Sequence, residues 1–197
     1  MAKRYIADLH FGHKNILSYD NRPFTDIKEH DAEILEKWNS SVSEADDVFI
    51  LGDVSWYSAA KTAGLVQQLN GTKHLIIGNH DRELLKNKGY RNCFEEIEPY
   101  LEIEDEGKRI ILCHYPILSF NGIHHGAWHF YGHVHSSFEE NMVQYNRRML
   151  RELYDKPCNM LNVGIMMLYM DLRPKTFTEL VSAQEVGEGY THESSRT

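Results

Sequence analysis

Cysteine is scarce: Cys93, Cys113 and Cys158 are the only three in 197 residues, and their spacing is irregular. That excludes a disulfide framework and a thiolate zinc knuckle, which need paired cysteines at regular intervals. Cys113 ends the apolar run Arg109-Ile-Ile-Leu-Cys113 and reads as a buried structural thiol. Long hydrophobic stretches are absent too, and the longest runs are far too short to span a bilayer. The residues ahead of Asp8 contain no apolar signal core, so a cytoplasmic location is the expectation. Positive charge is also in deficit: 21 Lys and Arg against 29 Asp and Glu give a net charge of -8. A broad electrostatic surface for nucleic-acid backbones is therefore disfavoured. Internal repeats and low-complexity segments are lacking.

What remains is an ordinary globular composition, 42% hydrophobic and 25% charged, at a length that suits one domain with a sizeable core. Residues 3–7, 47–51 and 73–77 read as short buried strands. Helical spacing of Ile27, Ile34, Leu35, Trp38 and Val42 predicts a helix over 27–42, with Asp26 and Glu29 at capping-box spacing. A second helix is predicted over 58–69, stopped by Asn70-Gly71, and a third over 83–88. Strands joined by crossover helices imply a parallel sheet, whose functional groups gather at the carboxyl ends. The second half is richer in strand, at 100–104, 108–113, 130–134, 161–163 and 165–172, and implies a second, mixed sheet. Residues 138–154 read as a helix inserted as a lid. The domain is expected to occupy 1–184, with 185–197 a loose polar tail.

Five short blocks of metal-ligand residues stand out: Asp8-Leu9-His10, Gly52-Asp53, Gly78-Asn79-His80-Asp81, His114, and Gly132-His133-Val134-His135. Nearly all follow a strand-like stretch. They supply carboxylates, an amide and imidazoles, an oxygen and nitrogen donor set that suits borderline transition metals. Ligands two apart at a strand end point to the same side, so Asp8 and His10 reach one ion while Leu9 enters the core. His133 and His135 repeat the device. Alone, an aspartate at a strand end is more often a cap, and a lone histidine more often a satisfied polar group. The ordered set is what carries the inference.

As a set, these blocks resemble the calcineurin-like metallophosphoesterases, and among them the small bacterial members. The match runs from Asp8 to His135; Asn162-Val163-Gly164 and Arg173-Pro174 also resemble their ending. The resemblance implies an α/β fold, a four-layer α/β/β/α sandwich of two mixed sheets with a dinuclear metal site at strand C-terminal ends. It implies one ion held by Asp8, His10, Asp53 and His135, and a second by Asp53, Asn79, His114 and His133, with Asp53 shared. A hydroxide bridging ions about 3.5–4 Å apart would attack the phosphorus. His80 would be the catalytic donor to substrate or leaving group, with Asp81 either orienting it or capping the next helix. Mn, Fe, Zn or Ni fit the donors, with Mn favoured for activity.

The implied function is a hydrolase of phosphate mono- or diesters acting on a small molecule or nucleotide. The Val54-Ser55-Trp56-Tyr57 that follows Asp53 lacks the Asp-Arg-Gly of the protein phosphatases and dinucleoside-tetraphosphate hydrolases, which argues against those substrates. The alternatives are a nuclease or nucleic-acid-end phosphatase, and a scaffold that keeps the fold without catalysis. Membrane partners are not expected, and the sequence leaves oligomeric state open. Beside the ligands, His13, Trp56, Tyr57, the His124–His129 loop, Arg147 and Arg148 are candidates for substrate contact. Each has a plainer reading as a turn, rim or solvated-helix residue.

Overall fold

The computed structural model describes residues 1–183, so the expected tail at 185–197 lies outside the described residues. The chain opens with β1 (Lys3–Ile6), a single turn α1 (Ile16–Tyr19), α2 (Ile27–Ser41), β2 (Asp47–Ile50), α3 (Ala59–Val66) and β3 (Thr72–Ile76). A 3-10 turn, α4 (Lys88–Arg91) and β4 (Glu96–Glu98) follow. The second half contains β5 (Tyr100–Asp105), β6 (Lys108–Cys113), β7 (Trp128–Tyr131), α5 (Phe138–Tyr154), β8 (Asn159–Asn162) and β9 (Lys175–Thr176). A last helix, α6, covers 177–183 within the described residues.

Two mixed sheets result, flanked by helices. The first has the order β4-β3-β2-β1-β9, parallel except for β9. The second has the order β5-β6-β7-β8, with only β5 antiparallel. Their inner faces share one core: Tyr5 of β1 packs edge-on against Phe130 of β7, with ring centroids 4.8 Å apart, and both join the cluster of Ile6, Ile50, Leu112 and Leu161. On the outside of the first sheet, α2 adds Ile34 and Trp38 to that core and α3 adds Val66. A separate cluster on the outside of the second sheet joins Ile111, Tyr131 and Met160 to Val143 of α5 and to Phe120 and Ile123. The sheets meet at the site end. There Ala7 donates to the Val163 carbonyl at 2.8 Å, Ile165 to the Ala7 carbonyl at 2.9 Å, and Val163 to the Tyr131 carbonyl at 2.7 Å.

Local chemistry accounts for the helix ends. Asp26 caps α2 by accepting from the Lys28 amide at 2.7 Å, while Glu29 reaches back to the Thr25 amide at 3.2 Å, one residue earlier than capping-box spacing implies. Ser58 caps α3. The helix expected at 83–88 is instead split into a 3-10 turn (Leu84–Lys86) and α4, because the Asn87 carboxamide caps a new start by accepting from Tyr90. The expected strand at 165–172 is not one: the segment turns through a 3-10 helix, Leu168–Met170, with Leu168 98% exposed. Having stitched the two sheets together at 163–165, the chain must reverse to reach the far edge of β1, where β9 pairs. Short β4, with its Glu-Ile-Glu pattern, escaped the sequence reading. No helix among the described residues is long and apolar enough to cross a membrane.

Candidate metal centre

All five blocks converge where the parallel strands of both sheets end. β1 delivers Asp8 and His10, β2 delivers Asp53, β3 delivers Asn79 and His80, β6 delivers His114, and β7 delivers His133 and His135. The loops run side by side: the amides of Asp8 and His10 donate to the carbonyls of Gly52 and Asp53 at 3.1 and 3.0 Å. The ligands do not continue strand geometry, as their i, i+2 spacing suggested. Asp8, His10, Asp53, His133 and His135 all have left-handed backbone, with φ of 58°, 53°, 55°, 71° and 50°. Left-handed residues two apart again project side chains together, at a conformational cost that only a well-packed surround sustains. Two glycines allow the close packing. A Cβ on Gly132 would lie 2.6 Å from an Asp8 carboxylate oxygen, and one on Gly78 would collide with the Asp53 carboxylate.

Two donor groups form. Asp8, His10 and His135 offer ligand atoms all within 4.8 Å of one another, and so do Asp8, Asp53 and His114. Asn79 joins the second group, its Oδ1 2.9 Å from His114 Nε2. The Asp53 oxygens divide between the groups. Oδ2 lies 3.9 Å from His10 Nε2 and Oδ1 lies 3.7 Å from His114 Nε2. Asp8 thus reaches both groups, beyond the single ion expected for it. His133 stands at the edge. Its ring packs against His114 and Tyr115 at 5.0 and 4.7 Å, and its amide donates to the Asp8 carboxylate at 3.0 Å.

Two imidazoles of this centre have Nδ1 tied to its outside. A carbonyl can only accept, so the 2.7 Å contact of His114 Nδ1 with the Leu51 carbonyl places a proton on Nδ1 and turns Nε2 toward Asn79 Oδ1, 2.9 Å away. His135 Nδ1 likewise donates to Asp20 Oδ2 at 3.1 Å, and its Nε2 faces His10 Nε2 at 3.3 Å. Nε2 of His10, His114 and His135 thus converge with the Asn79 amide oxygen on two buried carboxylates, a donor set that a cation would satisfy. The separations suit one. Nitrogens bound at about 2.0–2.1 Å to a tetrahedral ion stand about 3.4 Å apart. Burial holds His10 well below the ordinary histidine range and His133 lower as well, while it raises Asp8. Neutral imidazoles are the form that ligates. For His135 burial acts downward too, but the Asp20 hydrogen bond and the Asp8 charge outweigh it and raise the pKa.

No family model matches the chain. An uncharacterized protein of Methanocaldococcus jannaschii is 35% identical over 140 residues, covering 70% of this chain and 72% of that protein. The gene 66 protein of Mycobacterium phage L5 is 32% identical over 162 residues, covering 67% of this chain and 76% of that protein. The chain belongs to the family of these two proteins. A protein of unknown function from Aquifex aeolicus shares the fold, with a TM-score of 0.60 at 23% identity over 92% of this chain and 98% of that one. Looser overlaps with a phosphoesterase from E. coli and a Pseudomonas putida nuclease have TM-scores of 0.39 and 0.33, too low to carry an argument.

In this member, His80 leans over the centre with its side chain 46% exposed, its Nε2 4.0 Å from Asp53 Oδ2. Asp81 neither orients His80 nor caps a helix, as the sequence suggested. Its buried carboxylate accepts from the amides of Gly78, Asp53 and Val54 at 2.8, 2.9 and 3.1 Å, tying two ligand loops together. Trp56 packs the rim, wedged between the His13 ring at 3.9 Å and the His80 ring at 4.2 Å. Tyr57 turns away and donates to Asp31 at 2.8 Å.

The His124–His129 loop does not hang over the centre. Phe120, Ile123 and Ala127 bury against Ile111 and Tyr131 and pull it onto the outer face of the second sheet. His129 is fully buried there, bonded to the Ile111 carbonyl and the Ile117 amide, while His124 and His125 are exposed. The α5 helix is a brace rather than a lid. Arg147 is buried and donates to the Cys158 carbonyl at 3.2 Å, so it forms no solvated face; Arg148 is exposed. Buried Glu140 of α5 accepts from Tyr131 at 2.9 Å and from Asn162 at 3.0 Å, and Asn162 also donates to the His135 carbonyl at 3.0 Å.

Sequence reasoning missed Asp20 and Arg22, which lie between α1 and α2. Arg22 is buried and donates to the carbonyls of Asp8 and Leu9 at 2.8 and 3.0 Å and to Asp20 at 3.2 Å. Its Nη1 also meets His30 Nε2 at 2.7 Å, and His30 Nδ1 meets Asp31 at 2.8 Å. A guanidinium only donates, so His30 accepts at Nε2 and carries its proton on Nδ1. No local signal marks these residues: Asp20 meets His135 and Ser136 115 and 116 positions away, and Arg22 meets carbonyls 13 and 14 positions back.

Proposed function

We propose that the chain is a metal-dependent hydrolase of phosphate esters, mono- or diesters of small molecules or nucleotides. The observation that carries this reading is the convergence of buried Asp8, Asp53, His10 and His114 with His135 into two close donor groups, with Asn79 beside His114 and Nδ1 of His114 and of His135 tied outward. Asp8, His10 and His135 with Asp53 would hold one ion; Asp53, Asn79 and His114 with His133 would hold the other. Bound there, two cations would acidify water and neutralise charge on phosphoryl oxygens. The donors suit Mn, Fe, Zn or Ni, Mn being favoured for activity.

His80 supplies the proton-handling group. Half-exposed beside Asp53, braced by Trp56 and held at its amide by Asp53 Oδ1 at 3.0 Å, it is placed to donate to a leaving oxygen. Aromatic and imidazole rings, Trp56 with His13 and Tyr115 with His133, border the centre and offer a small ester stacking surfaces. The test is a panel with added Mn²⁺: a monoester, a diester, 2′,3′- and 3′,5′-cyclic nucleotides and a short RNA. Hydrolysis of at least one small ester, abolished by chelation, is expected. No hydrolysis of any of them refutes the reading, and hydrolysis of RNA alone replaces it with a nuclease.

A further inference from the structure

We propose that Asp20 and Arg22 are the positioning residues of the half-centre formed by Asp8, His10 and His135, setting which nitrogen of His135 faces an ion and holding the Asp8–His10 loop in its ligating shape. The inference rests on the metal-site reading above but concerns residues that never touch the ion.

The two imidazoles of this half-centre are unequally anchored. His135 has its distal nitrogen fixed by Asp20, whose other oxygen accepts from Ser136 at 3.3 Å. His10 Nδ1 is buried without a hydrogen-bond partner, and the ring stacks on His135 at 5.0 Å, meets its Nε2 at 3.3 Å, and packs at a tilt against Trp56 and His13 at 4.9 and 5.5 Å. The anchor of His10 must therefore come through its backbone, and Arg22 supplies it. Its two terminal nitrogens bind the carbonyls of Asp8 and Leu9, the residues that lead into the left-handed His10. A fork that donates in one plane suits adjacent carbonyls in a way an ammonium does not.

Asp20 joins the two tasks, accepting from both His135 and Arg22. The unit is in turn seated by His30, whose accepting Nε2 meets Arg22 and whose Nδ1 proton meets Asp31. The other half-centre is held differently: the Leu51 carbonyl fixes His114, and Asp81 ties the Asp53 and Gly78 loops at their amides. Loss of Asp20 should therefore act on one ion and spare the other.

The experiment is metal binding by the stripped full-length chain, titrated with Mn²⁺ and Zn²⁺ in a calorimeter and counted by elemental analysis. The wild type is expected to bind two ions. Asp20→Asn is expected to weaken one of them by about 10–100-fold, the usual effect of removing a partner one shell out, and to leave the other within error. Arg22→Lys should weaken the same ion. Two ions bound with unchanged affinity in a folded Asp20→Asn protein would overturn the proposal, as would equal weakening of both.

A second measurement needs no metal: nitrogen-15 imidazole shifts of the stripped protein. His135 is expected to carry its proton on Nδ1 in the wild type and to lose that preference in Asp20→Asn. A wild-type proton on Nε2, or a preference unchanged in the variant, overturns the assignment. A wild type that binds no ion but shows the expected tautomer refutes the proposed function while leaving the positioning role intact.

Discussion

The two sheets hold their shares of the centre by different means. The first sheet's loops are braced by charged groups on the backbone: Arg22 on two carbonyls, Asp81 on three amides. The second sheet's loop is braced between side chains: Glu140 accepts from Tyr131, Gln144 and Asn162, and Asp20 holds His135, while burial raises the pKa of Glu140 and of Asp81 alike. Hydrogen bonds to a charged group contribute roughly twice what neutral ones do, and leaving the charge buried and unmatched costs more still. The first sheet thus holds its loops through their backbone, and the second through a side-chain network backed by α5.

The sharpest break is expected at Asp53, the proposed shared ligand. Asp53→Asn is expected to lower metal occupancy and activity together, by well over the roughly 100-fold seen for partners outside the ligand shell. His133→Ala, on the second sheet, should cost less, because no donor atom of His133 joins either close group. Elemental analysis alongside kcat/KM separates the two, and an equal loss would erase the distinction. His80→Ala is next: turnover should fall by roughly 10²–10⁴ while the ion count holds. An unchanged turnover in the loaded variant would remove His80 from the chemistry.

The ligand ends of β1, β2 and β3 were legible because a short apolar run, a turn and a polar motif are all local signals. The 165–172 segment was not, since its apolar run serves a reversal between sheets rather than a ladder. Helix α5 was legible as a helix, but its task was not: Glu140 and Arg147 look solvent-facing until β8 and Tyr131 are placed beside them. Asp20 and Arg22 were invisible for the same reason, having long-range partners and ordinary turn composition.

Stability tests sharpen the contrast between the braces. Asp81→Asn puts an amide donor where backbone donors converge, and is expected to cost about 3 kcal/mol in urea unfolding. His129 tests the second sheet through pH. Burial lowers its pKa to about 4 from the usual 6.5. Between those values the unfolded chain takes up a proton that the folded chain refuses. Stability should therefore fall as pH drops from 6.5 toward 4 and level off below, by up to about 3 kcal/mol. Thermal melts across that window should show the slope, and His129→Gln should flatten it. Smallest of all, Glu140→Gln is expected to cost about 1 kcal/mol. A loss as large as that of Asp81→Asn would show that the second brace is as charged as the first.

The left-handed backbone at Asp8, His10, Asp53, His133 and His135 has a consequence for anyone who engineers this chain. At about 1 kcal/mol or more for each residue, the five together amount to a large part of a domain's net stability. Glycine at any of them relaxes the chain. A library screened only for heat tolerance will therefore drift toward glycine at these positions, shedding donors while keeping the fold. Metal retention has to be scored in the same round as melting temperature, or the selection will return a robust protein with nothing at its centre.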